Sequence, residues 1–468
     1  MWLLNKKSIN LRIYTFFMLF LSLIINYGGS MDIIFNPVIV SVIVLCALCM
    51  FRVNVLLAII VSSITAGLCA HMSLNKIMSV FISGMGGNSE TALSYILLGA
   101  FAAAMTHTGL APILAKKISN IIKNKAFLLI LIITIISMLS QNLIPVHIAF
   151  IPILIPPLLG LMNKLKIDRR AIACALAFGL KMPYIVIPAG FGLIFQGLIA
   201  ENLVQNGVNI EVSEIWKANW FLGIAMLVGL FIALFVTYKK PREYKEITIG
   251  EESVMNLEGD SLKFNKNHYL TLLAAFATLS VQLWTKSLPL GALVGLTVIF
   301  GTGAINHKKM DKLMNEGIGL MGYVAFVMLV AAGFALILKE TGGIESLVQS
   351  ATMIIGGSKL LAVTLMLGIG LFITMGIGTS FGTIPILAVL FVPICIQMGF
   401  SIPATIIVLS AAAALGDAGS PASDTTLGPT AGLNADGQHN HIIDTCIPTF
   451  THFNIALIIF AVLAVYIF

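Results

Sequence analysis

The stretch LGDAGSPASDTTLGPTAGLNADGQHNHIID (415–444) places two carboxylates, Asp417 and Asp424, and the hydroxyls of Ser420, Ser423, Thr425 and Thr426 directly behind an apolar run. Carboxylates and unsatisfied main chain are costly in hydrocarbon, so this segment cannot be a lipid-facing helix. Gly416, Gly419, Pro421 and Gly428 would loosen or break a helix and free its carbonyls. Carboxylates, hydroxyls and freed carbonyls are together the oxygen donors that suit a hard cation such as Na⁺. The plainer reading is a solvated loop after a membrane helix. Two further segments carry related chemistry. In MGIGTSFGTIPI (375–386) glycines let the main chain approach a ligand while Thr379, Ser380 and Thr383 supply hydroxyls. In SQNLIP (140–145) Ser140, Gln141 and Asn142 could do the same, the alternative in both places being a hairpin turn kept for its shape alone.

The elements that would hold these groups are membrane helices. The 468 residues are 58% hydrophobic and 10% charged, with a mean hydropathy of +1.01, which is too little polar surface for a water-soluble globule. Spans of roughly 20 apolar residues satisfy their own backbone in a bilayer as helices. Long apolar runs without strict alternation argue against an outer-membrane barrel. The net charge of +7 sits mostly in short loops beside apolar runs, where it orients the chain; no nucleic-acid partner is expected. The six cysteines (Cys46, Cys49, Cys69, Cys174, Cys395, Cys446) sit in or beside apolar segments without two paired Cys-x-x-Cys spacings and read as packing residues.

Apolar segments fall near 34–51, 54–71, 91–109, 126–162, 170–199 and 219–237, then 268–284, 288–304, 316–338, 359–400, 401–415 and 444–468. Between the two groups a polar stretch runs from KKPREYKE at Lys239 to about His268 and reads as an aqueous linker. The expected division is an N-terminal extension or extra helix (1–30), a first membrane half (31–237), a cytoplasmic linker (238–267) and a second membrane half (268–468). The halves look related, since placing Pro145 on Pro385 brings Ser140 onto Ser380. Lys116, Lys117, Lys123 and Lys125 precede segment 126–162, and Lys164, Lys166, Arg169 and Arg170 follow it, so the positive-inside rule puts both its ends in the cytoplasm. It is either a re-entrant hairpin or two spans. Segment 359–400 is flanked by KETGGIES and SIPA, which are poor in positive charge, so it should enter from outside. Opposed hairpins of this kind build a midplane site in inverted-repeat transporters.

GTSFGT with PI (378–386) and GDAGSPASDTT (416–426) resemble the paired signature of the NhaC-like Na⁺/H⁺ antiporter family in the ion-transporter superfamily. ALSYILLGAFAAAM (92–105) and SQNLIPVHIAFIPILIPPLLG (140–160) resemble more closely its YuiF-type branch, regarded as amino-acid permeases with histidine among the candidate solutes. The resemblance covers nearly everything from Met31 onward. It implies an all-α polytopic membrane protein of two inverted-topology halves, with re-entrant hairpins and interrupted helices, divided into scaffold and transport domain. It also implies a homodimer and an elevator-like displacement. Carried over, it puts Thr379, Ser380 and Thr383 at one hairpin tip, Ser140 and Asn142 at the other, and Asp417, Ser420, Asp424 and Thr425 on the interrupted helix of the second half.

Under that resemblance FGLKMPYIVIPAGFG (178–192) is the interrupted helix of the first half, where a neutral residue is expected in place of Lys181. A buried ammonium is costly unless paired. Lys181 either pairs with Asp417 or Asp424 and replaces one bound cation, or snorkels near an interface. His147, just beyond the first tip, could titrate with substrate or proton, or serve as a hydrogen-bonded packing residue. His439 and His441 lie near Asp436 and Asp444 without a zinc signature.

An intramembrane protease would need polar residues in the bilayer too, but Ala414 stands where a GxGD motif needs glycine, and no YD pair or GxSG motif occurs. No phosphate-binding P-loop is present. A passive channel could also use a re-entrant filter. Two related halves, each with a broken segment, favour alternating access. The expectation is therefore a multi-pass protein of the cytoplasmic (inner) membrane, with the lipid bilayer and a small solute or ion as partners. It would carry a small polar solute, an amino acid such as histidine, coupled to Na⁺ or H⁺ and with no other cofactor or metal. The alternative is Na⁺/H⁺ antiport.

Overall fold

Where apolar runs must satisfy every backbone donor and acceptor without water, helices form, and the chain is helical throughout with no strand among the described residues. The structure is a computed structural model; it describes residues 36–50, 53–108, 125–142, 151, 154–245, 265–285, 287–377, 379–420 and 423–468. The expectations for residues 1–30, for His147 and Pro145, and for most of the linker lie outside the described residues.

The first half comprises α1 (Pro37–Met50), α2 (Val55–Cys69), α3 (Leu74–Met85), α4 (Ser89–His107), α5 (Ala126–Asn142), α6 (Leu159–Lys164), α7 (Arg169–Val186) and α8 (Phe191–Gln205). It ends with α9 (Val212–Thr237). The second half comprises α10 (Lys266–Thr285), α11 (Leu288–Gly301), α12 (Met310–Glu340), α13 (Gly343–Ile355), α14 (Lys359–Ile377), α15 (Ser380–Gln397), α16 (Ile402–Leu415) and α17 (Asp424–Leu433). It closes with α18 (His441–Ile467). Among the described residues four helices are long and apolar enough to cross a bilayer, five when α7 and α8, bent by 47°, count as one span. At 1.5 Å per residue the 14 residues of α16 reach only about 21 Å, short of a core about 30 Å thick, which suits a segment that stops inside the protein.

Contacts between helix ends sort the bundle into two ends. At the first, His107 lies 2.8 Å from Glu316, His268 Nε2 lies 2.9 Å from the Thr108 carbonyl and Lys166 donates to Glu243 at 2.7 Å. The first two join the end of α4 to the starts of α12 and α10, and the third joins the end of α6 to the end of α9. At the other, Lys339 Nζ donates to the Gln205 carbonyl at 3.1 Å, joining the ends of α8 and α12. The start of the polar linker is docked rather than free. Arg242 N donates to the Lys166 carbonyl at 3.0 Å, and Lys245 N donates to Gln438 Oε1 at 2.8 Å.

Both halves contain a broken helix, each break with its own cause. Between α7 and α8, Gly190 takes φ 55°, a conformation costly for residues with a Cβ. The Ile185 carbonyl left at the end of α7 is satisfied from inside the protein, by Gln196 Nε2 at 3.2 Å and Asn219 Nδ2 at 3.1 Å. Between α16 and α17 the described residues 416–420 and 423 lie outside any helix, and α14 packs directly on this break. A Cβ at Gly416 would lie 2.6 Å from Thr374 C, so only glycine permits this approach. The solvated-loop reading of 415–444 does not hold, since Asp417, Ser420 and Ser423 are at most 3% exposed and a helix follows from Asp424.

Candidate functional site

The site is assembled at the second break. Asp417 leaves the end of α16 buried, and its carboxylate is ringed by hydroxyls from three separate places in the chain. Tyr184 of α7 donates to Oδ2 at 2.9 Å, and Ser380, first residue of α15, donates to the same oxygen at 2.9 Å. The two hydroxyls are themselves 3.0 Å apart. Ser423, the N-cap of α17, donates to Oδ1. The ring therefore draws on the first half's broken helix, the turn between α14 and α15, and the second half's own break.

Five main-chain carbonyls at the break accept from side chains. The Ala412 carbonyl accepts from Thr374 at 3.2 Å, that of Asp417 from Thr425 at 3.0 Å and that of Ala418 from Asn454 at 3.0 Å. The Ser420 carbonyl accepts from Thr426 at 2.5 Å, and the Ala414 carbonyl from the ammonium of Lys181. Helix α7 runs along this edge, with Lys181 and Tyr184 one turn apart opposite Ala414 and Asp417. Aromatic rings close the apolar side. Tyr184 lies 5.1 Å from Phe195 and 5.2 Å from Phe381, and Phe381 lies 6.0 Å from Phe191 and 5.9 Å from Tyr95. In such a dry setting a carboxylate interacts strongly with any cation or proton that reaches it.

Of the residues singled out in the sequence, Ser380, Asp417 and Thr425 meet here. Thr383 is buried one turn along α15, donating to the Ser380 carbonyl at 2.8 Å, and Thr379 precedes α15 in extended conformation. Ser420 contributes its carbonyl, and Asp424 opens α17. Ser140, Gln141 and Asn142 form the last turn of α5, whereas Ser380 is the first residue of α15. Lys181 is 0% exposed, which rules out snorkelling toward an interface. Among the described residues no group of three or more histidine, cysteine or acidic side chains could hold a metal. His439 and His441 instead hydrogen-bond Thr445 at 2.7 Å and Thr430 at 2.8 Å. The sequence reading missed Tyr184, whose signal is its place one helical turn after Lys181 on an otherwise apolar face.

A helical multi-pass membrane protein whose two broken helices meet at a buried carboxylate has the architecture of a secondary transporter. Residues 175–465 match the sequence profile of the Na⁺/H⁺ antiporter family, and residues 36–122 match a second profile described as the Na⁺-H⁺ antiporter family. The chain belongs to the Na⁺/H⁺ antiporter family. It is 49% identical over 441 residues to a membrane protein of Vibrio parahaemolyticus, covering 92% of this chain and 99% of that one. It is 45% identical over 446 residues to YuiF of Bacillus subtilis, provisionally described as an amino acid transporter, covering 92% and 99%. Among solved structures it resembles Neisseria gonorrhoeae MtrF, described with a class of antimetabolite efflux pumps. The TM-score is 0.58 at 15% identity, over 84% of this chain and 85% of that one, a likeness of fold.

Proposed function

We propose that this protein is a cation-coupled transporter of the cytoplasmic (inner) membrane that moves a small polar solute, an amino acid such as histidine. The observation that carries the reading is the Asp417 carboxylate, buried among hydroxyls from both halves at a helix break. An amino acid needs a partner for its ammonium and another for its carboxylate. Asp417, or Asp424 as the alternative, suits the first; the hydroxyls and amides around Thr379, Ser380 and Thr383, with Ser140, Gln141 and Asn142 from the opposite tip, suit the second. Ser420 and Thr425 support the break. Similarity to YuiF favours this solute class. In this reading the α14–α15 hairpin enters from one end of the bundle and α5 with its return segment from the other, as two inverted halves. The Lys166–Glu243 and Lys339–Gln205 contacts support those opposite ends. The protein works as a homodimer in which the part holding the breaks moves against a scaffold.

A second reading, Na⁺/H⁺ antiport, is favoured by the family description over residues 175–465. Asp417 would then bind Na⁺ and H⁺ in alternation. Reconstituted protein, given a panel of labelled amino acids with and without Na⁺ and pH gradients alongside dye-reported proton flux, separates the two. Saturable histidine uptake with counterflow supports the first reading. Proton flux evoked by Na⁺ alone, with no amino acid moved, replaces it with the second.

A further inference from the structure

Lys181 is a fully buried lysine inside a membrane protein, a costly placement unless opposite charge and hydrogen bonds compensate it. The compensation lies at the second break. Its ammonium donates to the Ala414 carbonyl in the last turn of α16, where the unpaired carbonyls of a helix end carry roughly half a negative charge. Three residues on, the same edge bears Asp417, which Tyr184 contacts from the next turn of α7. Helix α7 thus presents a fixed positive charge to a carbonyl terminus and a hydroxyl to the neighbouring carboxylate.

The other carbonyls named at this break accept from neutral donors, those of Thr374, Thr425, Thr426 and Asn454. The one taken by a cation is the Ala414 carbonyl. A freed carbonyl at a helix C-terminus beside a buried carboxylate is the kind of place where a transporter would bind Na⁺. Here the positive charge is tethered to the chain. We infer that the Lys181 ammonium is a built-in cation that occupies the carbonyl end of α16, so that no Na⁺ binds there and transport has no Na⁺ requirement at this break. This rests on the transporter reading above and narrows its coupling ion.

The test uses the full-length protein in two arms. In the first, purified protein in detergent is titrated with ²²Na⁺, which needs no solute. The wild type is expected to show no saturable binding, and Lys181→Thr, which replaces the ammonium by a hydroxyl, is expected to acquire it. The double variant Lys181→Thr with Asp417→Asn is expected to lose it again. Saturable ²²Na⁺ binding by the wild type overturns the inference, as does a monodisperse Lys181→Thr protein that fails to gain binding. Lys181→Ser serves if the threonine variant does not fold, and if neither folds the wild-type titration decides. In the second arm, wild-type proteoliposomes are expected to take up labelled histidine equally with Na⁺ or choline outside. Absence of histidine uptake under every gradient would remove the amino-acid reading while leaving the ²²Na⁺ result standing.

Discussion

Around Asp417 the chemistry depends on two hydroxyls meeting one carboxylate oxygen, with Tyr184 and Ser380 each at 2.9 Å. A hydrogen bond to a charged group contributes about 1.5–3 kcal/mol, and each 1.4 kcal/mol is about tenfold in affinity. Tyr184→Phe keeps the ring among Phe195 and Phe381 and removes only the donor. It is expected to weaken solute or ion affinity at least about tenfold in proteoliposome counterflow while expression stays near wild type. Asp417→Asn removes the charge itself and is expected to abolish transport with the protein still inserted and monodisperse. Normal transport by that variant would place the site elsewhere. Asp417 and Ser380 were legible in the sequence because polar groups in apolar surroundings declare themselves. Tyr184 was not, because its value comes from a partner far along the chain that only the packing of α7 against the break reveals.

Elements were legible in proportion to their length and apolarity. The runs near 288–304, 401–415 and 444–468 correspond to α11, α16 and α18. Helices α3 and α13 escaped, since a search for long apolar runs passes over short segments with one buried face; α3 buries only Ile77 and Phe81. The stop of α16 is also a packing event. Gly416 has φ −73°, ordinary for any residue, so what demands glycine is the approach of α14. Gly416→Ala would drive a methyl into the main chain at Thr374, and overpacking of that kind costs about 1–3 kcal/mol. The expected result is a lower melting temperature by fluorescence-detected size exclusion together with loss of transport. Gly368→Ala, on α14 with open space where a Cβ would stand, is the control, expected to melt at or slightly above the wild-type temperature.

Across the whole molecule the two broken helices are held together where α7 begins as well as at Asp417. Arg169, first residue of α7 and 0% exposed, donates to both carboxylate oxygens of Asp436, at 2.6 and 2.5 Å, and to the Leu433 carbonyl at the end of α17. Tyr244 from the linker stacks on this guanidinium, and Arg242 bonds Asp444 at 2.9 Å. Removing one partner of a buried pair strands the other, so Asp436→Ala is expected to destabilise by about 3 kcal/mol, read as a clear fall in melting temperature. Burial alone would raise the Asp436 carboxyl, but the Arg169 hydrogen bond and charge, with Gln438, hold it below its ordinary 3.8. Its contribution is therefore complete above that value and is lost only in stronger acid. His439, in the same turn and 2% exposed, responds in milder acid. Burial pushes its imidazole from 6.5 down to about 4, with Asp444 opposing and Arg169 and Arg242 reinforcing. Between those values the unfolded chain binds the proton more readily than the folded one. Stability is thus fully present above pH 6.5 and falls as pH drops toward 4, by at most about 3 kcal/mol. Wild-type melting temperature in detergent should decline across that window, and His439→Gln should flatten the decline. A His439→Gln protein that melts with the same acid slope as wild type would assign the sensitivity to other groups.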